Sequence, residues 1–157
     1  LVGTKAGPDT ADAAAIRRAT AEKVKAEGVQ VVIEAMAPKM LAAGNQDLRM
    51  VERVRGIMNS STTQGVIGAL LGMAERPDST GLLAQIAVPT LVVTGEDDTV
   101  IPPTESEKLA RAIAGAQLKR IPHAGHLVAF EQPEEFNRLL VDWLDRTGLA
   151  SMPSTSS

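Results

Sequence analysis

Apolar and polar positions change rhythm once along this chain. Up to about residue 85 the apolar residues recur at three- and four-residue spacing, the period of helices with one buried face. Asp9 or Thr10 is placed to cap a first helix, with Ile16, Ala19, Lys23 and Val24 along it and Gly28 to stop it. A second helix is predicted from Val29 to about Ala43, carrying Val29, Val32, Ile33, Met36 and Met40, with a kink or break near Pro38. Asp47 caps a third, with Leu48, Val51 and Ile57 on one face. A fourth covers Thr62 to Arg76 and carries Val66, Ile67, Leu70, Leu71 and Met73. Its Gly65, Gly68 and Gly72 each cost about 1 kcal/mol relative to Ala in exposed positions, so a neighbouring backbone is expected to approach closely there. Four short helices with polar outer faces predict a cap without a core of its own.

Beyond residue 85 the rhythm becomes strand, helix, strand, helix. Val88 to Thr94 is a continuous apolar run ending at Gly95, the pattern of a parallel strand covered on both faces. Thr104, Glu105, Ser106 and Glu107 read as a capping box opening a helix with Leu109, Ala110 and Ile113 inside. Gln117 to Ile121 is a second short strand. Pro133 then starts a helix whose Phe136, Leu139, Leu140, Trp143 and Leu144 share one face, ended by Gly148. The organisation expected is therefore a strand remnant over 1–8, a helical cap over 9–85, an α/β segment over 86–148 and a disordered polar tail over 149–157.

Composition narrows the classes. The 157 residues are 44% hydrophobic and 22% charged, the balance of a globular protein with a real core. A net charge of −3, without any Lys or Arg run, excludes nucleic acid and acidic membrane as natural partners. No segment approaches the apolar length of a membrane span, and no signal peptide is legible, so a cytoplasmic location is expected. Zero Cys removes disulfides, thiolate metal sites and a Cys nucleophile together. Phe130, Phe136 and Trp143 are the only aromatic residues, too few for a base-stacking platform.

Strand–helix–strand–helix implies a right-handed parallel sheet, in which ligands meet the loops at the carboxyl ends of the strands. Those loops are Gly95 to Pro103 and Pro122 to Gln132, and each holds an ionisable group. The first reads Gly95-Glu96-Asp97-Asp98, the second His123-Ala124-Gly125-His126. A carboxylate after one strand and an imidazole after the next suit an acid–base pair in which the acid holds the imidazole tautomer. His123 and His126, three apart, could suggest a metal. Without Cys or a third ligand nearby no metal site is assigned, and His123 is read as shaping the loop.

These residues carry a resemblance to the α/β-hydrolase fold family. Val88-Pro89-Thr90-Leu91-Val92-Val93-Thr94-Gly95-Glu96-Asp97-Asp98 looks like the family's penultimate strand and acid loop. Ala124-Gly125-His126 through Glu131-Gln132-Pro133-Glu134-Glu135-Phe136 looks like its catalytic-histidine loop and final helix. The resemblance implies an α/β fold: the C-terminal part of an α/β-hydrolase, with a short parallel sheet, flanking helices and a four-helix cap. It is closest to the esterase, enol-lactonase and haloperoxidase-like branch. It places the catalytic acid at Asp98, with Asp97 as the neighbouring alternative, and the catalytic base at His126. It implies a small-molecule ester or lactone substrate and no cofactor.

One departure stands out. The family's Gly-x-Ser-x-Gly nucleophile elbow does not occur, nor does its oxyanion-hole loop, and Ser60, Ser61, Ser79 and Ser106 lack the flanking glycines. Leu1-Val2-Gly3 reads as the end of the strand that follows the missing nucleophile helix. The sheet edge left there predicts a self-paired homo-oligomer or a complex with a separate N-terminal half. The methionines of the helical region either line an acyl pocket or pack the cap.

Overall fold

The computed structural model describes residues 1–45 and 47–148; the tail over 149–157, expected to be disordered, lies outside the described residues. Helix α1 (Ala11–Glu27) starts where the Thr10 side chain accepts the Ala13 N–H, and it stops at Gly28, whose φ of 87° suits only glycine comfortably. Helix α2 (Gln30–Met36) ends earlier than its apolar pattern predicts and tightens into a 3₁₀ turn at Ala37–Lys39. Pro38 is the cause, because it has no N–H to donate and its ring crowds the preceding turn. Helix α3 (Leu48–Asn59) is capped by Asp47, whose carboxylate accepts from Arg49 and Met50, and α4 (Thr63–Ala74) by Thr62.

Two expectations for these helices fail. The buried residue of α3 is Val54, while Leu48 is 76% and Ile57 53% exposed, so the predicted apolar face is turned outward at both ends. The glycines of α4 meet no backbone. A Cβ at Gly68 or Gly72 would reach open space, and one at Gly65 would touch only the Thr62 hydroxyl. Packing of α1 against α4 instead uses Ala21, Val24 and Leu70, with Val29, Val32, Val66, Ile67 and Met73 around them. The helices thus have a small core of their own, which the cap pattern did not predict.

Strands β1 (Leu91–Gly95) and β2 (Gln117–Ile121) run parallel, with Leu91 opposite Gln117 and Gly95 opposite Ile121. The strand remnant lies on the other side of β1. Val93 donates to the Leu1 carbonyl at 2.8 Å, and Gly3 donates to the Val93 carbonyl at 3.1 Å, giving a single bridge at Val2. β1 starts later than its apolar run because Pro89 cannot donate to a ladder, and Val88 is 66% exposed. Alternate residues of β1 serve opposite faces. Leu91 and Val93 join Ile121, Ala124, Val128, Leu139 and Trp143 beneath α7 (Pro133–Thr147). On the other face Val92 joins Leu83, Leu109 and Ile113 beneath α5 (Pro103–Ala112).

The predicted capping box of α5 does not form. Pro102 occupies the cap position without a side-chain hydrogen bond, and the prolines start the helix by their fixed φ. Between the histidine loop and α7 lies one further turn, α6 (Val128–Glu131). Among the described residues no helix is long and apolar enough to cross a membrane.

Because the glycines of α4 face open space, Gly68→Ala and Gly72→Ala should each raise stability by about 0.5–1 kcal/mol through helix propensity alone. Urea midpoints at unchanged slope measure this; a loss of stability would mean another surface packs against that face.

Candidate active site

Asp98 sits in the turn after β1 and His126 in the turn after β2. Parallel pairing in register sets the two turns side by side, and a close crossing holds them there. The Asp97 N–H donates to the Ala124 carbonyl at 3.0 Å, and the Glu96 N–H to the Ile121 carbonyl at 3.0 Å. The crossing requires glycine at position 95, where a Cβ would fall 2.2 Å from the Ala124 carbonyl oxygen. Gly125 is required for the same reason on the other side, with the backbone of Leu41 and Ala42 2.5 Å from where its Cβ would be. His123 has φ of 56°, a left-handed conformation that turns the chain between β2 and His126.

Both residues of the sequence-derived pair come together. His126 Nδ1 lies 3.0 Å from Asp98 Oδ2. Asp98 is only 3% exposed, and its other oxygen accepts the Val100 and Ile101 N–H groups, each at 2.8 Å. Three acceptor contacts on a buried carboxylate fix its plane. An ionised carboxylate only accepts, so the proton sits on His126 Nδ1 and the lone pair on Nε2. Asp97 and Glu96 are exposed, and Asp97 meets the histidine loop through its backbone. His123 is exposed, and its carbonyl accepts from Gln132. Among the described residues no group of three or more His, Asp or Glu side chains could hold a metal ion.

A residue that sequence reading passed over anchors the arrangement. Glu131, buried at the end of α6, accepts the Gly125 N–H on Oε2 at 2.6 Å. Its Oε1 accepts the Ala42 N–H at 2.8 Å and the Asn45 amide at 2.9 Å. One carboxylate thus ties the residue before His126 to the segment after α2. The Leu127 N–H adds a bond to the Met40 carbonyl at 3.0 Å. The only sequence signal for Glu131 was an acidic residue directly after the apolar stretch Leu127 to Phe130.

His126 opens on a cavity of about 510 Å³ between the sheet end and the helices. Met36, Met40 and Met73 line it, so three of the methionines form its wall, as do Thr4 and Ile101. Its rim is held by Asp9, whose carboxylate accepts Lys5 Nζ at 2.8 Å, Arg17 Nε, and Arg76 Nη2 at 3.4 Å. These bonds join the strand remnant, α1 and the segment after α4. The Arg17 hydrogen bond, then that from Lys5, hold the Asp9 carboxyl well below its ordinary value, at about 2.

A profile of the family described as alpha/beta hydrolase fold matches residues 7–133. The chain belongs to the alpha/beta hydrolase family. Among solved structures, a thermophilic esterase from Thermogutta terrifontis, malate bound, superposes with a TM-score of 0.89 at 40% identity, covering 94% of this chain and 55% of that one. The enol-lactonase from Burkholderia xenovorans LB400 shares the fold, with a TM-score of 0.82 at 24% identity over 92% of this chain and 55% of that one. A 2-hydroxy-6-oxononadienedioate/2-hydroxy-6-oxononatrienedioate hydrolase of Paraburkholderia xenovorans is 37% identical over 62 residues, 40% of this chain and 22% of that protein. This alpha/beta hydrolase chain therefore spans about half the length of its solved relatives, and less of that curated one.

Two predictions follow from the geometry. Glu131→Gln should cost about 1–3 kcal/mol, because a neutral amide cannot accept all three N–H groups and presents a donor to one of them; thermal unfolding measures it, and an unchanged Tm would show the anchor to be dispensable. Asp9 has a folded pKa below its unfolded one, so its contribution is complete above about pH 4 and is lost as pH falls toward 2. Asp9→Asn should lower Tm by roughly 5 °C at pH 7, and the difference should shrink steadily below pH 4.

Proposed function

We propose that this chain carries the acid and the base of a carboxylic-ester or lactone hydrolase, with His126 as general base and Asp98 as the acid that orients it. The observation that carries the reading is the 3.0 Å contact of His126 Nδ1 with a buried Asp98, at the wall of a cavity of about 510 Å³. With the proton held on Nδ1, the Nε2 lone pair accepts the proton of an attacking hydroxyl. Asp98 stabilises the imidazolium that forms, and Nε2 returns the proton to the leaving alcohol. A water then takes the place of the hydroxyl in the second half of the cycle. Membership of the family supports this reading.

The proposal assigns the nucleophile and the oxyanion donors to residues outside these 157. No Gly-x-Ser-x-Gly occurs in the sequence, and no serine is among the residues lining the His126 cavity. Ser60, at the exposed end of α3, spends its hydroxyl on the Ile57 carbonyl at 2.7 Å.

A second reading, a fragment without activity that folds by self-association or with a separate N-terminal half, is favoured by the sheet edge. Leu1 and Val2 are 48% and 45% exposed beside an apolar groove of about 280 Å³, whose floor includes Leu91, Phe136 and Trp143. An unpaired apolar edge of this kind invites another strand.

Hydrolysis of p-nitrophenyl acetate and butyrate by the chain joined to a segment that supplies the nucleophile and oxyanion donors, with oligomeric state measured on the same sample, separates the two. Turnover that falls at least about 10³-fold in His126→Ala at unchanged circular dichroism supports the hydrolase reading. Asp98→Asn should lower kcat by up to about 10⁴-fold, since an amide facing Nδ1 favours the wrong tautomer. Equal rates for the protein and His126→Ala would overturn the acid–base assignment.

A further inference from the structure

We propose that the substrate of this site carries a negative charge, an acyl ester or lactone with an anionic end such as a free carboxylate. The inference rests on the hydrolase reading for the reaction but on separate observations for the charge.

The cavity beside His126 is lined by Lys5, Arg17, Lys39 and Arg76, and no aspartate or glutamate is among its lining residues. Behind that wall Asp9 is shared by Lys5, Arg17 and Arg76, so one carboxylate faces three cations. Lys39 joins none of the ion pairs among the described residues. Asp98 is committed to His126 and to two backbone N–H groups. The wall therefore holds a surplus of positive charge that the protein does not neutralise.

Arg76 adds a second, independent sign. Its Nε is buried and has no hydrogen-bond partner among the described residues. A buried donor left without an acceptor is costly, and a guanidinium is built to be completed by an anionic oxygen pair. In a protein that needs Asp9 only to pin its helices, one lysine and one arginine would satisfy it. The extra cations raise the local potential in a largely apolar, partly enclosed space, where Coulomb energies exceed those in water several-fold.

The rest of the wall says what joins the charge to the reacting carbonyl. Met36, Met40 and Met73 are flexible and apolar, so they accept an aliphatic stretch without fixing its length. An acyl group with its carbonyl at His126 and an anionic end against the cationic residues of the wall satisfies both surfaces. A neutral acyl chain satisfies only the methionines.

The test compares glutarate with its neutral isostere glutaramide, titrated into the 157-residue chain. The chain has two histidines, so imidazole C–H signals report binding directly, and His123→Ala assigns the His126 signal. Glutarate should bind at least about tenfold more tightly than glutaramide while shifting the His126 signal, and rising salt should weaken it. Lys39→Gln, at an exposed position outside every ion pair among the described residues, should weaken glutarate about threefold or more and leave glutaramide unmoved; Lys39→Arg should restore most of the loss. Arg76→Gln should act in the same direction. Equal affinity for glutarate and glutaramide, or glutarate binding indifferent to both substitutions, would overturn the inference. The two readings fail separately. Selective glutarate binding without His126-dependent turnover, once the segment that supplies the nucleophile is joined to the chain, sinks the hydrolase reading alone. His126-dependent hydrolysis of p-nitrophenyl butyrate, without any preference for glutarate, sinks the anionic substrate alone.

Discussion

The buried carboxylate of Glu131, with the Leu127 N–H on the Met40 carbonyl beside it, ties the histidine turn to the helical part of this structure. Its oxygens accept from Gly125 in the histidine turn and from Ala42 and Asn45 in the segment after α2. The Gly125 and Ala42 N–H groups would otherwise be unpaired donors in the interior, so the chain on both sides is held by the same need for an acceptor. The absence of a side chain at Gly125 lets the Leu41–Ala42 backbone come close enough for one carboxylate to reach both. His126 takes its position next to that anchor, with Asp98 supported on its other side by two further backbone N–H groups.

Electrostatics around the cavity follows a division of labour. Asp98 is satisfied within its own turn and by His126, so its single negative charge is held by two backbone N–H groups and the imidazole. Asp9 is satisfied by cations brought from three separate stretches of chain. That gathers positive charge at one rim, because a single buried carboxylate fixes several long cationic side chains in the same place. The rim is thus a structural clasp on its inner side and a field on its outer side.

Much of the frame was legible from residue patterns. The period of apolar positions located α1, α4, β2 and α7 within a few residues, because one-sided burial imposes that period on any sequence. Gly28, Asp47, Thr62 and Gly148 marked their helix ends through local chemistry that needs no tertiary context. Patterns misled where a distant partner, or its lack, decided the outcome. The glycines of α4 found no neighbour, the apolar residues at the ends of α3 found no core, and Pro102 displaced a capping box that was chemically sound.

Sequence alone determined the order of the elements, the two turns at the ends of the parallel strands, and the presence of a carboxylate in one and an imidazole in the other. These are consequences of spacing and residue type along a single stretch of chain. Only the tertiary structure decided that Asp98, not Asp97, faces His126, because one residue along a tight turn reverses the direction of a side chain. It also decided that Glu131 is an anchor and that Lys5, Arg17, Lys39 and Arg76 share one cavity. Those residues are far apart in sequence, and what brings them together is the packing of helices whose own patterns say nothing about which charges will meet.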